Sequence, residues 1–343
     1  MGVWRKAREL VAAIKRRPRL LRTIEVAIAI LVVALCVIGI RGEWSKAGPE
    51  LEDARRGHLG VALGIVAVYY LVFIFGWIRI LAAWDIHVPY RAALQAEMAS
   101  MLAKYVPGGV WTPAARVAAL GRLTGVTAAG TVLASILVEA VLSAISGVLV
   151  FVVSLAWVRN ANAPVWPLVL FALACLVVLH PRIFGPLMAR ILRRFGAAPV
   201  EPLPFRTMGA LLAFYCFTWL IGGLGLYFVI SSVGSAPSVA TIPFLGGVAA
   251  VGAIVAVLAF FAPGGLGLRE ASMYGLLIAV TSNSAALGAT IVNRLTITIV
   301  ELALFFVGIA AWRAGRLRRP AVDEPARPEP DRTDSAALGD AGA

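Results

Sequence analysis

The chain has 343 residues, 60% of them hydrophobic and only 14% charged, with a mean hydropathy of +0.88. A soluble domain carries about 45–50% apolar and about 25% charged residues, so the charged shell of a water-soluble protein this long is excluded. Runs of about 20 apolar residues, enough to cross a bilayer, recur along most of the chain, which therefore reads as an all-α, polytopic membrane protein.

The net charge is +13, and it is clustered: eight Lys/Arg fall within residues 1–22, five within 181–206 and four within 313–319. Basic clusters beside apolar runs mark cytoplasmic flanks and contacts with anionic lipid. Nucleic acid is excluded as a partner because no basic soluble domain exists to bind it. Cys36, Cys175 and Cys216 all sit inside apolar runs, an odd set that makes neither a disulfide framework nor a metal site. They read as small buried apolar residues.

In chain order, residues 1–22 form a basic amphipathic helix suited to the headgroup region, with Val3, Trp4, Ala7, Leu10, Val11 and Ile14 on one face. Thr23–Ile40 is a first span, too long for a signal-peptide core. The mixed-charge segment Arg41–His58 lies outside, and Leu59–Trp84 returns as a second span. Tyr90–Val106 is apolar but short, contains Glu97 and Lys104, and breaks at Pro107-Gly108-Gly109. Pro113–Leu123 is a more polar helix carrying Arg116 and Arg122. Thr127–Trp157, with Glu139, is a third span and Pro164–Leu179 a fourth. Ile183–Phe195 is a second interfacial helix, studded with Arg. Phe205–Ser231 is a fifth span. Val239–Ala262 runs into Pro263-Gly264-Gly265, followed by a short helix through Arg269-Glu270. Asn283–Trp312, with Arg294 and Glu301, is the last span. Residues 315–343 form a cytoplasmic tail whose Pro- and acid-rich composition predicts disorder.

Two segments match. Lys104-Tyr-Val-Pro-Gly-Gly-Val-Trp-Thr-Pro-Ala-Ala-Arg116 lies 156 residues before Phe260-Phe-Ala-Pro-Gly-Gly-Leu-Gly-Leu-Arg-Glu-Ala-Ser272. Each follows a span, a turn and an apolar helix, and each precedes a polar helix and a long span. The membrane domain, residues 23–314, thus divides into related halves of about 59–157 and 205–312. All three basic clusters share one side only if both broken segments dip in and return, from opposite faces. The expected architecture is six full spans plus two re-entrant hairpins in an inverted repeat, with both termini cytoplasmic in a bacterial-type plasma membrane. Such repeats are a transporter signature, with the substrate site at their interface near the midplane. A Pro-Gly-Gly break frees backbone groups that cannot face lipid.

Glu97, Lys104, Arg116, Glu139, Arg269, Glu270, Arg294 and Glu301 fall in or beside membrane segments. Each costs about 2.5–3.5 kcal/mol at a helix centre even on the lenient insertion scale. Two uses compete: mutual neutralisation, such as Glu139 with Arg269 or Arg294, and anion binding by Lys104, Arg116, Arg269 and Arg294, a set suited to a phosphate headgroup. Glu25 and Arg79 sit where side chains snorkel to the interface. His58, His87 and His180 are isolated, and neither HExxH nor a P-loop is present. No catalytic residue, metal or cofactor is therefore expected, and the chain reads as a non-enzyme.

The residues KYVPGGVWTPAAR at 104–116, Glu139, FFAPGGLGLREAS at 260–272 and Arg294 together resemble the lysylphosphatidylglycerol synthase/flippase transmembrane family, over roughly residues 20–314. The resemblance implies lipid translocation between leaflets. Synthase members add a C-terminal aminoacyl-transfer domain that this sequence does not show, so synthase activity is not implied. The expected function is a flippase- or scramblase-type translocase for a phosphate-bearing lipid, a phospholipid or a polyprenyl-phosphate-linked glycolipid. Its headgroup site is expected at Lys104, Pro107, Gly108, Gly109, Arg116, Glu139, Pro263, Gly264, Gly265, Arg269, Glu270 and Arg294, and its partners are anionic membrane lipids. The alternatives are a non-transporting accessory subunit of a lipid- or glycan-synthesis enzyme, and a membrane enzyme whose site lacks a known motif.

Overall fold

The computed structural model describes residues 54–105, 111–155, 158, scattered positions between 170 and 193, 201–234, 236–259, 265 and 267–317. The expected helix at 1–22, the spans at 23–40 and 164–179, both Pro-Gly pairs at 107–108 and 263–264, Gly109 and the tail beyond 317 lie outside the described residues, apart from isolated positions in 164–179.

Every regular element among the described residues is helical. In order they are α1 (Arg56–Ala82), α2 (Tyr90–Met101) with a 3-10 extension at Leu102–Tyr105, α3 (Trp111–Thr124), α4 (Ala129–Ser154), α5 (Phe205–Val233), a 3-10 turn at Val239–Thr241 leading into α6 (Ile242–Leu258), α7 (Leu268–Leu277) and α8 (Asn283–Leu317). A long helix, a broken pair and a second long helix thus occur twice: α1, α2–α3, α4, and then α5, α6–α7, α8. The paired members pack on each other, α2 on α3 and α6 on α7. The chain forms one compact unit through Gly308; Ile309–Ala343 is a separate unit containing the end of α8.

Five segments are long and apolar enough to cross a membrane: α1, α4, α5, Val239–Leu258 and Asn283–Ala310. The fourth is the segment expected as one arm of a dip; by length and composition its 20 residues would also suffice for a crossing. Its counterpart would not, because the 12 residues of α2 reach only about 18 Å at 1.5 Å per residue, short of a core about 30 Å thick.

The interior is mostly apolar, as in a water-soluble protein, but the surface is apolar too and some charges are buried. Val257 and Phe306 are 73% and 62% exposed, while Arg116 and Glu301 are 4% and 2% exposed. Apolar side chains outside and ion pairs inside suit a solvent of lipid tails. With no hydrophobic drive between helices in lipid, close packing must hold them together, and small residues permit it. Gly223 of α5 faces the backbone of Ile242 and Gly246, and Gly246 of α6 faces the backbone of Trp219, so a Cβ at either would collide with main chain. Helix α4 joins this contact through Gly147, against Ala250 and Trp219, and through Phe151, against Gly247. Trp219 Nε1 donates to the Ser143 carbonyl at 2.8 Å, securing α5 to α4.

The link between α1 and α2 is a tight reversal. Asp85 has φ +57, and the Ile86 amide donates to the Leu81 carbonyl at 3.0 Å, the closing bond of a Schellman-type helix end. Asp is among the few non-glycine residues that enter this left-handed conformation readily. The reversal lays α2 against α1 and brings Glu97 and Lys104 into the bundle.

Candidate functional site

Two ionic clusters lie inside the helices. The first is assembled from both halves of the chain. Lys104, on the 3-10 turn that ends α2, donates to Glu301 of α8: Nζ lies 2.6 Å from Oε1 and also contacts Oε2. Tyr70 of α1 donates its hydroxyl to the same Oε1 at 2.5 Å. Gln95 of α2 donates to the Gly308 carbonyl at 3.0 Å, so α2 and α8 are joined one step further along. On α8 the polar residues Thr290, Arg294, Thr298 and Glu301 recur at helical spacing and all are buried, which gives this long apolar helix one polar stripe.

Helix α7 supplies the remaining charges. Gly265 and Gly267 precede it at φ +70 and +83, a conformation that favours glycine. The turn places Arg269 and Glu270 in the first helical turn. Glu270 Oε2 accepts the Gly267 amide at 2.7 Å, the acidic half of a capping arrangement. Its Oε1 accepts from Arg294 Nη1 at 3.1 Å. Arg269 lies with its stem facing Gly252 of α6 and has Arg294, Glu270, Glu301 and Tyr70 within electrostatic reach. Among the described residues the Arg269 guanidinium has no hydrogen bond or ion pair, while its carbonyl accepts from Ser272 Oγ at 2.8 Å. Three cations, Lys104, Arg269 and Arg294, thus gather around two carboxylates.

The second cluster belongs to the first half. Arg116 of α3 lies between Glu97 of α2 and Glu139 of α4, with 2.6 Å from Nε to Glu97 Oε2 and 2.6 Å from Nη1 to Glu139 Oε2. The Glu139 contact is a hydrogen bond; the Glu97 contact is an ion contact without hydrogen-bond geometry, so Glu97 Oε2 and Arg116 Nε and Nη2 are buried without hydrogen-bond partners. The guanidinium lies 3.7 Å above the Trp77 ring of α1, a cation–π contact of the kind that strengthens on desolvation. Trp77 is itself fixed by donating to Ser135 Oγ at 2.8 Å. Tyr215 of α5 donates to Glu139 Oε1 at 3.4 Å.

Lys104, Arg269, Glu270 and Arg294 therefore come together as one group, with Gly265 just before α7. Arg116 and Glu139 come together in the other. Glu139 pairs with Arg116 and not with Arg269 or Arg294, the partners suggested at the sequence level. Pro107, Gly108, Gly109, Pro263 and Gly264 are among the residues not described. Sequence reasoning left Glu97, Glu301, Tyr70, Trp77 and Tyr215 off the site. The first two carry the signal of an intramembrane charge, and Tyr70 belongs to a conspicuous Tyr69-Tyr70 pair; nothing local marks Trp77 or Tyr215.

Chemically, the first cluster offers cationic donors and a helix N-terminus, which attract an oxyanion. Among the described residues no three His, Cys, Asp or Glu side chains form a metal-binding group. Comparison with protein-family models matches residues 23–304 to the lysylphosphatidylglycerol synthase TM region. Comparison with curated proteins found no match.

Proposed function

The chain belongs to the lysylphosphatidylglycerol synthase TM-region family, and from this premise we propose that it is a lipid translocase of flippase or scramblase type. Its substrate is a phosphate-bearing lipid, a phospholipid or a polyprenyl-phosphate-linked glycolipid, and the headgroup is held by Lys104, Arg269 and Arg294. The observation that carries this reading is the excess of cation over carboxylate in a cluster drawn from both halves, with Arg269 apart from any ion pair among the described residues. Arg269 is half-buried, a cation partly withdrawn from solvent and without a counter-ion is costly, and an anionic headgroup is the counter-ion a lipid would bring. In this reading α2–α3 and α6–α7 are the two hairpins of an inverted repeat, turning at the Pro-Gly-Gly motifs, and six spans carry the two cytoplasmic termini. Neither catalysis nor a cofactor enters the mechanism.

Purified protein in phosphatidylcholine vesicles, with fluorescent phosphatidylglycerol bleached in the outer leaflet, tests the reading. The translocase moves protected label outward faster than protein-free vesicles do. Equality with protein-free vesicles for anionic labels, phospholipid and polyprenyl phosphate alike, would contradict it.

A second reading, a non-transporting accessory subunit of a lipid- or glycan-synthesis enzyme, is favoured by the Arg116 cluster, whose packing against Trp77 and two carboxylates suits a rigid scaffold. It predicts no transport and co-purification with such an enzyme.

A further inference from the structure

The two clusters carry opposite imbalances. Around Arg116, two carboxylates share one guanidinium; around Glu301, three cations surround two carboxylates. Among the described residues the four cations and four carboxylates of the two clusters sum to zero. They are also electrically in touch: Glu97 lies within reach of Glu301, and the Tyr69 phenol lies within reach of Glu139, Glu97 and Arg269. At low dielectric an uncompensated charge is expensive, so the excess negative charge of one cluster is balanced by the excess positive charge of the other.

An anion bound at the cationic cluster removes that balance and leaves the Arg116 cluster with one negative charge too many. We propose that Glu97 is a proton site, and that it takes up one proton from water when an anionic headgroup occupies the Lys104, Arg269 and Arg294 cluster. Glu97 rather than Glu139 is chosen by the geometry. Glu139 is held as a carboxylate by hydrogen bonds from Arg116 and Tyr215. Glu97 has only the ion contact, its Oε2 lacks a hydrogen-bond partner, and its side chain is 4% exposed. Protonation makes Glu97 a neutral acid and leaves Arg116 and Glu139 as a balanced pair. Among the described residues, the charged and titratable groups within reach of the two carboxylates are Arg116 of α3, Tyr69 of α1, Tyr215 of α5 and Glu301 of α8; α6, which packs on α4, carries no titratable residue.

The proton site rests on the headgroup reading, and the experiment separates the two. Full-length protein in phosphatidylcholine vesicles is titrated with brominated phosphatidylglycerol, which quenches its tryptophan fluorescence. This phosphodiester stays singly charged around neutral pH. If one proton accompanies each anion, the apparent Kd rises by about tenfold per pH unit once the unliganded cluster is deprotonated, since binding of the two is reciprocal. Infrared difference spectra should show a protonated-carboxyl band growing as the lipid binds. Glu97→Gln should bind without that band and with a flat pH profile, and Glu139→Gln, which also leaves a single carboxylate on Arg116, should flatten the profile too; the band itself should shift in Glu97→Asp and stay in place in Glu139→Asp. Should these variants fail to fold, the wild-type profile decides alone: saturable binding with a flat Kd overturns the proton site and leaves the headgroup reading standing. A Kd that responds to sodium instead of pH also overturns it. No saturable binding at any pH overturns both.

Discussion

Arg116 shows what a single residue contributes inside this bundle. It holds two carboxylates 2.6 Å away on either side, so removing its charge leaves both unpaired in a low-dielectric interior. Breaking one buried pair costs about 3–5 kcal/mol, and Arg116→Gln should therefore lower the thermal stability in detergent by at least that much. Adding Glu139→Gln should return part of the loss, and Glu97→Gln as well should return most of it. Equal stability in all of these variants would remove the cluster from the scaffold. The presence of these charges was legible in the sequence, since intramembrane ions stand out against apolar runs. Their pairing was not. Residues 116 and 139 sit on consecutive helices joined by the four residues 125–128, a loop short enough to make them neighbours, whereas Lys104 and Glu301 are 197 positions apart and meet only through tertiary structure, beside the Gln95–Gly308 hydrogen bond.

At the scale of elements the two halves share a device with its polarity reversed. In the first, Arg116 of the short helix α3 holds Glu139 of the long helix α4; in the second, Glu270 of the short helix α7 holds Arg294 of the long helix α8. Glu139 and Arg294 fall 32 and 31 residues after Pro107 and Pro263, and Arg116 and Glu270 fall 9 and 7 after them. The sequence showed the matched motifs and embedded charges, and from them the order of helices followed. It also showed the first broken segment, 90–106, to be shorter than the second, 239–262, but not where within each the helix stops, because both run into the same Pro-Gly-Gly signal. Helix contact is a further property of the elements. Gly246→Ala would drive a methyl into the Trp219 carbonyl, and overpacking of this kind costs about 1–3 kcal/mol. Gly64→Ala, where nothing lies within 4 Å, should instead change stability by less than about 1 kcal/mol. Thermal unfolding of the two variants side by side checks the contrast; matching losses would argue against backbone contact between α5 and α6.

For the whole molecule, the proposed topology, argued from the basic clusters, has both termini in the cytoplasm and the turn between α5 and α6 outside. In whole cells, Ala236→Cys should react with a membrane-impermeant maleimide and Arg190→Cys should not. Outside labelling at position 190 would contradict the topology. The same arrangement brings Lys104 from the first half to Arg269 and Arg294 of the second, where a headgroup could be shared between halves that move against each other. The most direct measurement is leaflet exchange of fluorescent phosphatidylglycerol by Arg269→Gln protein against wild type, at matched amounts of folded protein. A charge-assisted hydrogen bond is worth about 1.5–3 kcal/mol, so the variant should move the lipid at least about tenfold more slowly. Exchange at the wild-type rate would contradict the claim that these cations hold a lipid phosphate.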